Sequence, residues 1–138
     1  MNPPLRAAED VQALREGLAD GTIDAVATDH APHSAVEKDL EFDAAMNGII
    51  GLETAFAVCL DLVRKGVLSD RRLVEALTAG PARAFGLAAG TLGRGAPADV
   101  AVLDPAAEWV VDAERFHSKG RNTPWKGKRL VGRCVYTI

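Results

Sequence analysis

The sequence predicts an α/β fold in two parts, helices alternating with a strand over residues 1–87 and a β-rich stretch over residues 88–138. Three observations carry this. Apolar residues recur at helical spacing in several stretches before Gly86. A short run of small and β-branched residues, Thr22–Thr28, separates two of them and has the texture of a buried strand. After Gly86 the pattern changes to Gly/Pro turns and strand-like segments.

Taken in order, the Pro3-Pro4 segment is extended, because proline fixes its own φ and disfavours helix in the residue before it. A helix is predicted over Ala7–Ala19, with Val11, Leu14 and Leu18 on one face and Glu9 and Asp10 in the first turn, where the helix dipole favours acids. Asp20-Gly21 stops it, and the strand Thr22–Thr28 leads into Asp29-His30-Ala31-Pro32-His33. Residues 34–47 are charged and without period, which reads as a long polar loop of the kind that serves as a lid. A helix follows over Gly51–Lys65, its face made by Leu52, Ala55, Phe56, Cys59, Leu60 and Val63. Ser69 caps another carrying Leu73, Val74 and Leu77. Gly80-Pro81 breaks that helix, and Pro81 opens a short turn ending at Gly86. Strands are predicted at Val100–Leu103, Trp109–Val111 and Leu130–Ile138.

Composition narrows the function classes. With 138 residues, 48% hydrophobic and 25% charged, the chain can bury a sizeable core. A complete (β/α)8 barrel needs about 200 residues or more, so it is excluded. No apolar run nears the roughly 18 residues of a membrane span, and Met1–Arg6 has no apolar signal core. Cys59 and Cys134 stand apart among apolar residues and read as buried, reduced thiols of a cytoplasmic protein. From Arg115 onward there are seven Lys/Arg and no Asp/Glu. This basic tail is interleaved with Val131, Cys134, Tyr136 and Ile138, so it reads as a strand of a packed sheet and not as a nucleic-acid surface. The glycines at 90, 93 and 95 match no dinucleotide or phosphate loop, lacking a preceding strand and a following Gly-Lys-Ser/Thr.

The chemistry concentrates at Asp29-His30-Ala31-Pro32-His33, just beyond the end of a predicted strand, where α/β architectures bind ligands. A carboxylate there can ligate a divalent metal or exchange a proton with water, and imidazoles can ligate or hydrogen-bond. The plainer alternative is that Asp29 caps a turn and both histidines are loop residues. Ligand counting matters: a catalytic zinc takes about three protein ligands, and the third histidine, His117, lies far along the chain. Alone, the sequence offers part of a metal site.

Several motifs together carry a resemblance: Asn2-Pro3-Pro4-Leu5-Arg6, Asp29-His30-Ala31-Pro32-His33, Gly48-Ile49-Ile50-Gly51-Leu52-Glu53-Thr54, Gly80-Pro81-Ala82-Arg83, Gly95-Ala96-Pro97-Ala98-Asp99 and Ser118-Lys119-Gly120-Arg121-Asn122-Thr123-Pro124. In order and spacing the chain resembles the C-terminal third of the bacterial class I dihydroorotase family of amidohydrolases; allantoinases and hydantoinases differ at the first two motifs. The resemblance implies that residues 1–87 are the C-terminal segment of a metal-dependent (β/α)8 barrel (last strand, lid loop and helices), and residues 88–138 the tail of a small β-sandwich. It implies zinc as cofactor and reversible cyclisation of N-carbamoyl-L-aspartate to L-dihydroorotate in pyrimidine synthesis. By the same resemblance Asp29 is a zinc ligand and the proton-shuttling acid/base, and Asn2, His33, Asn47 and Gly48 contact substrate. His30 receives no role beyond local packing or a loop hydrogen bond. Met46-Asn47 stands where the family has Pro-Phe.

The family's other metal ligands and its substrate-gripping arginine have no counterpart here, and the chain opens on the Asn-Pro-Pro motif as a truncated or split gene product does. Three readings follow: a dihydroorotase fragment inactive alone, half of an enzyme completed by a separate N-terminal chain, or a non-catalytic assembly module, for example for a carbamoyltransferase. A partial barrel also leaves strand edges and the apolar face of helix 51–65 uncovered.

Overall fold

The computed structural model describes Pro4 and residues 7–138. Its elements run α1 (Ala8–Asp20), α2 (Ala35–Lys38), α3 (Ala55–Arg64), α4 (Asp70–Leu77), α5 (Ala79–Phe85), β1 (Ala101–Val110) and β2 (Arg129–Thr137), with a 3₁₀ turn at Ala113–Arg115. Helix α1 forms where its apolar spacing predicts. Asp10 accepts from the Ala7 N–H at 3.0 Å, satisfying one orphan donor of the first turn. Gly21, at φ 91°, ends the helix in the left-handed conformation that glycine adopts at least cost.

The segment expected as a buried strand is extended but not a strand. Residues 24–28 form no ladder, and they are half-buried or exposed. A strand needs a partner for its backbone groups; this segment instead leans on helices. The Val26 N–H donates to Ala76 O at 2.9 Å. The largely buried Arg72 side chain of α4 donates Nε–H to Leu18 O at 2.7 Å and also reaches Ile23 O. Among the described residues, the parallel bridge His30↔Ile49 is the isolated pairing beyond this stretch.

The expected polar loop contains one helical turn, α2. Ser34 Oγ accepts from the Glu37 N–H while the Glu37 carboxylate accepts from the Ser34 N–H at 2.7 Å, a reciprocal capping box. The Ser34 N–H and Oγ–H, both donating to the Glu37 carboxylate, hold it below its ordinary pKa.

Helix α3 begins at Ala55, four residues later than its apolar face suggests, because residues 52–54 are turns. Ser69 caps α4 as expected, accepting from the Arg72 N–H at 3.1 Å. The break between α4 and α5 falls at Thr78, ahead of Gly80-Pro81, and α5 ends at Gly86 with φ 65°. Ile50, Ala57, Leu60, Leu68, Leu73, Ala76 and Ala82 form the helical core. A fully buried leucine such as Leu73 contributes about 2 kcal/mol through its apolar burial.

The first two strands predicted after Gly86 are one. β1 runs through Asp104–Glu108 with a register shift, and Asp104 Oδ1 accepts from the N–H groups of Ala106 and Ala107. It pairs antiparallel with β2. The face of α3 expected to be uncovered packs on β2. Gly132, at φ 99°, allows the close approach, since a Cβ there would stand 2.6 Å from Leu60 Cδ2. Trp109 donates Nε1–H to Gly132 O at 2.9 Å, and Arg133 lies 5.5 Å from the centroid of its ring.

The thiols differ from expectation. Cys59 is half-buried, and burial pushes its thiol pKa up, but Cys134 is exposed because the outer half of β2 has no layer over it. Iodoacetamide at mildly alkaline pH should therefore alkylate Cys134 first and Cys59 chiefly after unfolding. Peptide mass spectrometry over a time course checks this; equal rates would contradict the packing. No helix among the described residues is long and apolar enough to cross a membrane.

Candidate active site

Two loops and a strap build the site. The first loop follows the extended segment that α4 holds. At its start Asp29 adopts φ 45°, the one positive φ among described non-glycine residues. Aspartate tolerates this left-handed conformation better than most residues, but at a cost, and such strain clusters where a side chain must be aimed. Asp29 is exposed.

His30 turns away from any ligand role. Its Nδ1 accepts from the Gly51 N–H at 3.1 Å and the Leu52 N–H at 3.3 Å. An acceptor Nδ1 puts the ring proton of the neutral imidazole on Nε2, which donates to Ser118 Oγ at 3.3 Å. The imidazole thus caps the turns ahead of α3 and ties the first loop to the strap, the local role the sequence favours for it.

His33 and Gly48 come together. Gly48 is at φ 105°, and a Cβ there would meet Ala31 Cβ at 2.6 Å and His33 Nε2 at 3.7 Å. The His33 side chain is 16% exposed, with Nδ1 3.9 Å from the Glu37 carboxylate. The second loop is joined to the first by Ala31 N–H to Ile49 O at 2.9 Å. Lys38 Nζ donates to Gly48 O at 3.2 Å and to Met46 O, so α2 anchors the loop that carries Asn47, itself exposed. Asn2 lies outside the described residues.

The strap, residues 117–122, crosses behind both loops. The Glu53 carboxylate accepts from the N–H groups of His117 and Ser118 at 3.0 and 3.1 Å. The Asn122 side chain reaches both loops: Oδ1 accepts from the His33 N–H at 3.1 Å, and Nδ2 donates to Ala31 O at 2.8 Å and Gly48 O at 3.3 Å. His117 therefore stands at the strap, bonded through its backbone to Glu53. Sequence reasoning missed Asn122, Glu53 and Lys38 as site-builders. The Ser34-x-x-Glu37 spacing signalled α2 and hence Lys38, whereas Asn122 falls in the Ser118–Pro124 motif with nothing local to show what it bonds.

A separate cavity of about 890 Å3 lies between the start of α3 and the hairpin, lined among others by Leu52, Phe56, Trp109, Phe116, Arg133 and Tyr136. It includes neither Asp29 nor His33.

Residues 2–125 match the amidohydrolase family, and the chain belongs to that family. A protein named dihydroorotase from Anaeromyxobacter sp. (strain K) is 80% identical over 138 residues, which are 100% of this chain and 32% of that protein. One of the same name from Geotalea daltonii (strain DSM 22248 / JCM 15807 / FRC-32) is 58% identical, again over 100% of this chain and 32% of its own length. The solved structure of an L-hydantoinase (dihydropyrimidinase) from Arthrobacter aurescens matches with TM-score 0.88 at 38% identity, over 99% of this chain and 32% of that one. The chain thus spans about a third of the length of the curated relatives it matches.

Proposed function

We propose that this chain is the part of a dihydroorotase that supplies the acid–base carboxylate and one wall of the substrate pocket. The reaction is the reversible cyclisation of N-carbamoyl-L-aspartate to L-dihydroorotate in pyrimidine synthesis. In this reading residues 1–87 belong to a (β/α)8 barrel and residues 88–138 to a small β-sandwich. The observation that carries it is Asp29, strained at φ 45° on a loop that also holds His33 against Gly48. The 80% identity to a protein named dihydroorotase supports the choice of substrate.

In the hydrolytic direction, water adds to the ring carbonyl carbon and the adjacent C–N bond breaks. Asp29 accepts a proton from the attacking water and passes it to the departing ring nitrogen; the new carboxylic acid then ionises. In the cyclising direction the same carboxyl returns the proton to the leaving oxygen. The His33 imidazole hydrogen-bonds the substrate carboxylate or ring amide, as does the Asn2 amide. The Asn47 and Gly48 backbone contacts the ring. The segment around α2 closes over the pocket and excludes water.

A zinc ion does not fit this chain's residues by themselves. Catalytic zinc takes about three protein ligands, and among the described residues no group of three His, Cys, Asp or Glu converges. In this reading Asp29 is the chain's one ligand, and the others come from sequence beyond these 138 residues.

The test is a chimera in which this chain replaces the matching third of the Anaeromyxobacter sp. (strain K) dihydroorotase. The chimera should interconvert N-carbamoyl-L-aspartate and dihydroorotate, while the 138-residue chain alone should not. His33→Ala in the chimera should raise KM about tenfold and change kcat far less, the signature of a lost substrate hydrogen bond. A folded chimera without turnover would overturn the substrate assignment, and full turnover by the chain alone would overturn its partial character.

A further inference from the structure

We infer that Asn122 is a positioning residue of the substrate pocket, holding His33 and Gly48 in register. The inference rests on the reading of those two residues as substrate contacts and adds the group that sets them. Neither loop has a sheet to hold it: residues 31–33 and 47–48 lie outside helices and strands, and His30↔Ile49 is the described bridge between the loops. Loops of this kind need side chains for the backbone bonds that regular structure would otherwise supply.

Asn122 meets that need from both sides. One primary amide offers an acceptor and two donors, and here all three are engaged by backbone: the His33 N–H, Ala31 O and Gly48 O. The partners fix the amide's orientation, since only the oxygen can serve the N–H and only the nitrogen the two carbonyls. Its own backbone carbonyl accepts from the Ile50 N–H at 3.2 Å, so the residue is seated independently of its side chain. Gly120 lets the strap lie close, because a Cβ there would stand 2.8 Å from Pro32 Cα. The Glu53 carboxylate and the His30 imidazole fix the strap's other end. Asn122 is not a catalytic residue in this arrangement. It acts through His33 and Gly48, and its loss frees the loop without removing any group that touches substrate.

Two measurements test this. In the 138-residue chain, amide hydrogen exchange of His33 should speed up about tenfold or more in Asn122→Ala and stay slow in Asn122→Asp, which keeps the acceptor. The Ile50 amide, bonded to backbone, should stay protected in both. In the chimera, both variants should raise KM about tenfold while kcat stays within about twofold, at a temperature where each remains folded. Asn122→Asp belongs with the damaged variants here because its carboxylate faces the Ala31 and Gly48 carbonyls with no proton to give. Unchanged His33 exchange in Asn122→Ala, or an unchanged KM in both variants, would overturn the inference. If Asn122→Ala does not fold, Asn122→Asp alone decides: a raised KM supports the role and a normal one overturns it. Failure of the underlying functional reading looks different, since the unsubstituted chimera would then be inactive or His33→Ala would be silent.

Discussion

Asp29→Ala in the chimera should lower kcat by about a thousandfold in both directions while changing KM little. General acid–base catalysis by a positioned side chain is worth about 10² to 10⁴ in rate, and no second carboxylate stands on the same loop. Asp29 also holds a left-handed φ of 45°, which aspartate tolerates better than most residues. Alanine also adopts that conformation poorly, so Asp29→Asn is the better-matched comparison, keeping shape and tolerance of that φ while removing the base. Both variants should be equally dead, and steady-state rates with dihydroorotate and with N-carbamoyl-L-aspartate check this. Normal rates in Asp29→Asn would remove the acid–base role altogether.

Gly80→Ala should lower the melting temperature of the chain by about 10 °C. A Cβ at Gly80 would lie 2.1 Å from Asp24 O and 2.9 Å from Glu75 O. Both contacts are to backbone, so no side chain can swing aside. Relief requires α5 to move away from the extended segment ahead of Asp29. Overpacking costs about 1–3 kcal/mol where atoms can give, and this site lies at or beyond the upper end. For a chain of this size, about 3 kcal/mol corresponds to roughly 10 °C. Gly86→Ala is the control: a Cβ there meets nothing within 4 Å, and the cost is confined to its φ of 65°. A Gly80→Ala protein melting with the unsubstituted chain would show that the approach of α5 to Asp24 is not a constraint.

Helix positions were legible where pattern and cap agreed: Ser69 before α4 and Gly21 after α1 mark the ends of periods that packing also uses. Legibility failed where a remote partner decides. The apolar face of α3 extends back to Gly51, yet the helix starts at Ala55, because the His30 imidazole takes the Gly51 and Leu52 N–H groups and holds the chain in turns. Thr22–Thr28 has strand composition, but composition cannot supply a neighbouring strand. Asp104-Pro105 looks like a break between strands; β1 absorbs it as a shift in register, with the Asp104 carboxylate covering the displaced N–H groups. The Ser34-x-x-Glu37 capping box is a local helix signal set in a stretch whose charge density reads as loop. Of the site, Asp29 and His33 stood out as residue types and as motif. Asn122 stood within a motif but its role did not show, because its three partners lie 74 to 91 positions back along the chain, and no local pattern encodes such a pairing.

That separation has a consequence for biosynthesis. The loop bearing Asp29 and His33 leaves the ribosome long before the asparagine that sets it. Until then the loop's backbone is tied to its neighbour by the Ala31 N–H to Ile49 O bond. A nascent polypeptide stalled ahead of position 122 would lack the amide that joins the His33 N–H to the Ala31 and Gly48 carbonyls, so the two loops gain that tie only late in translation.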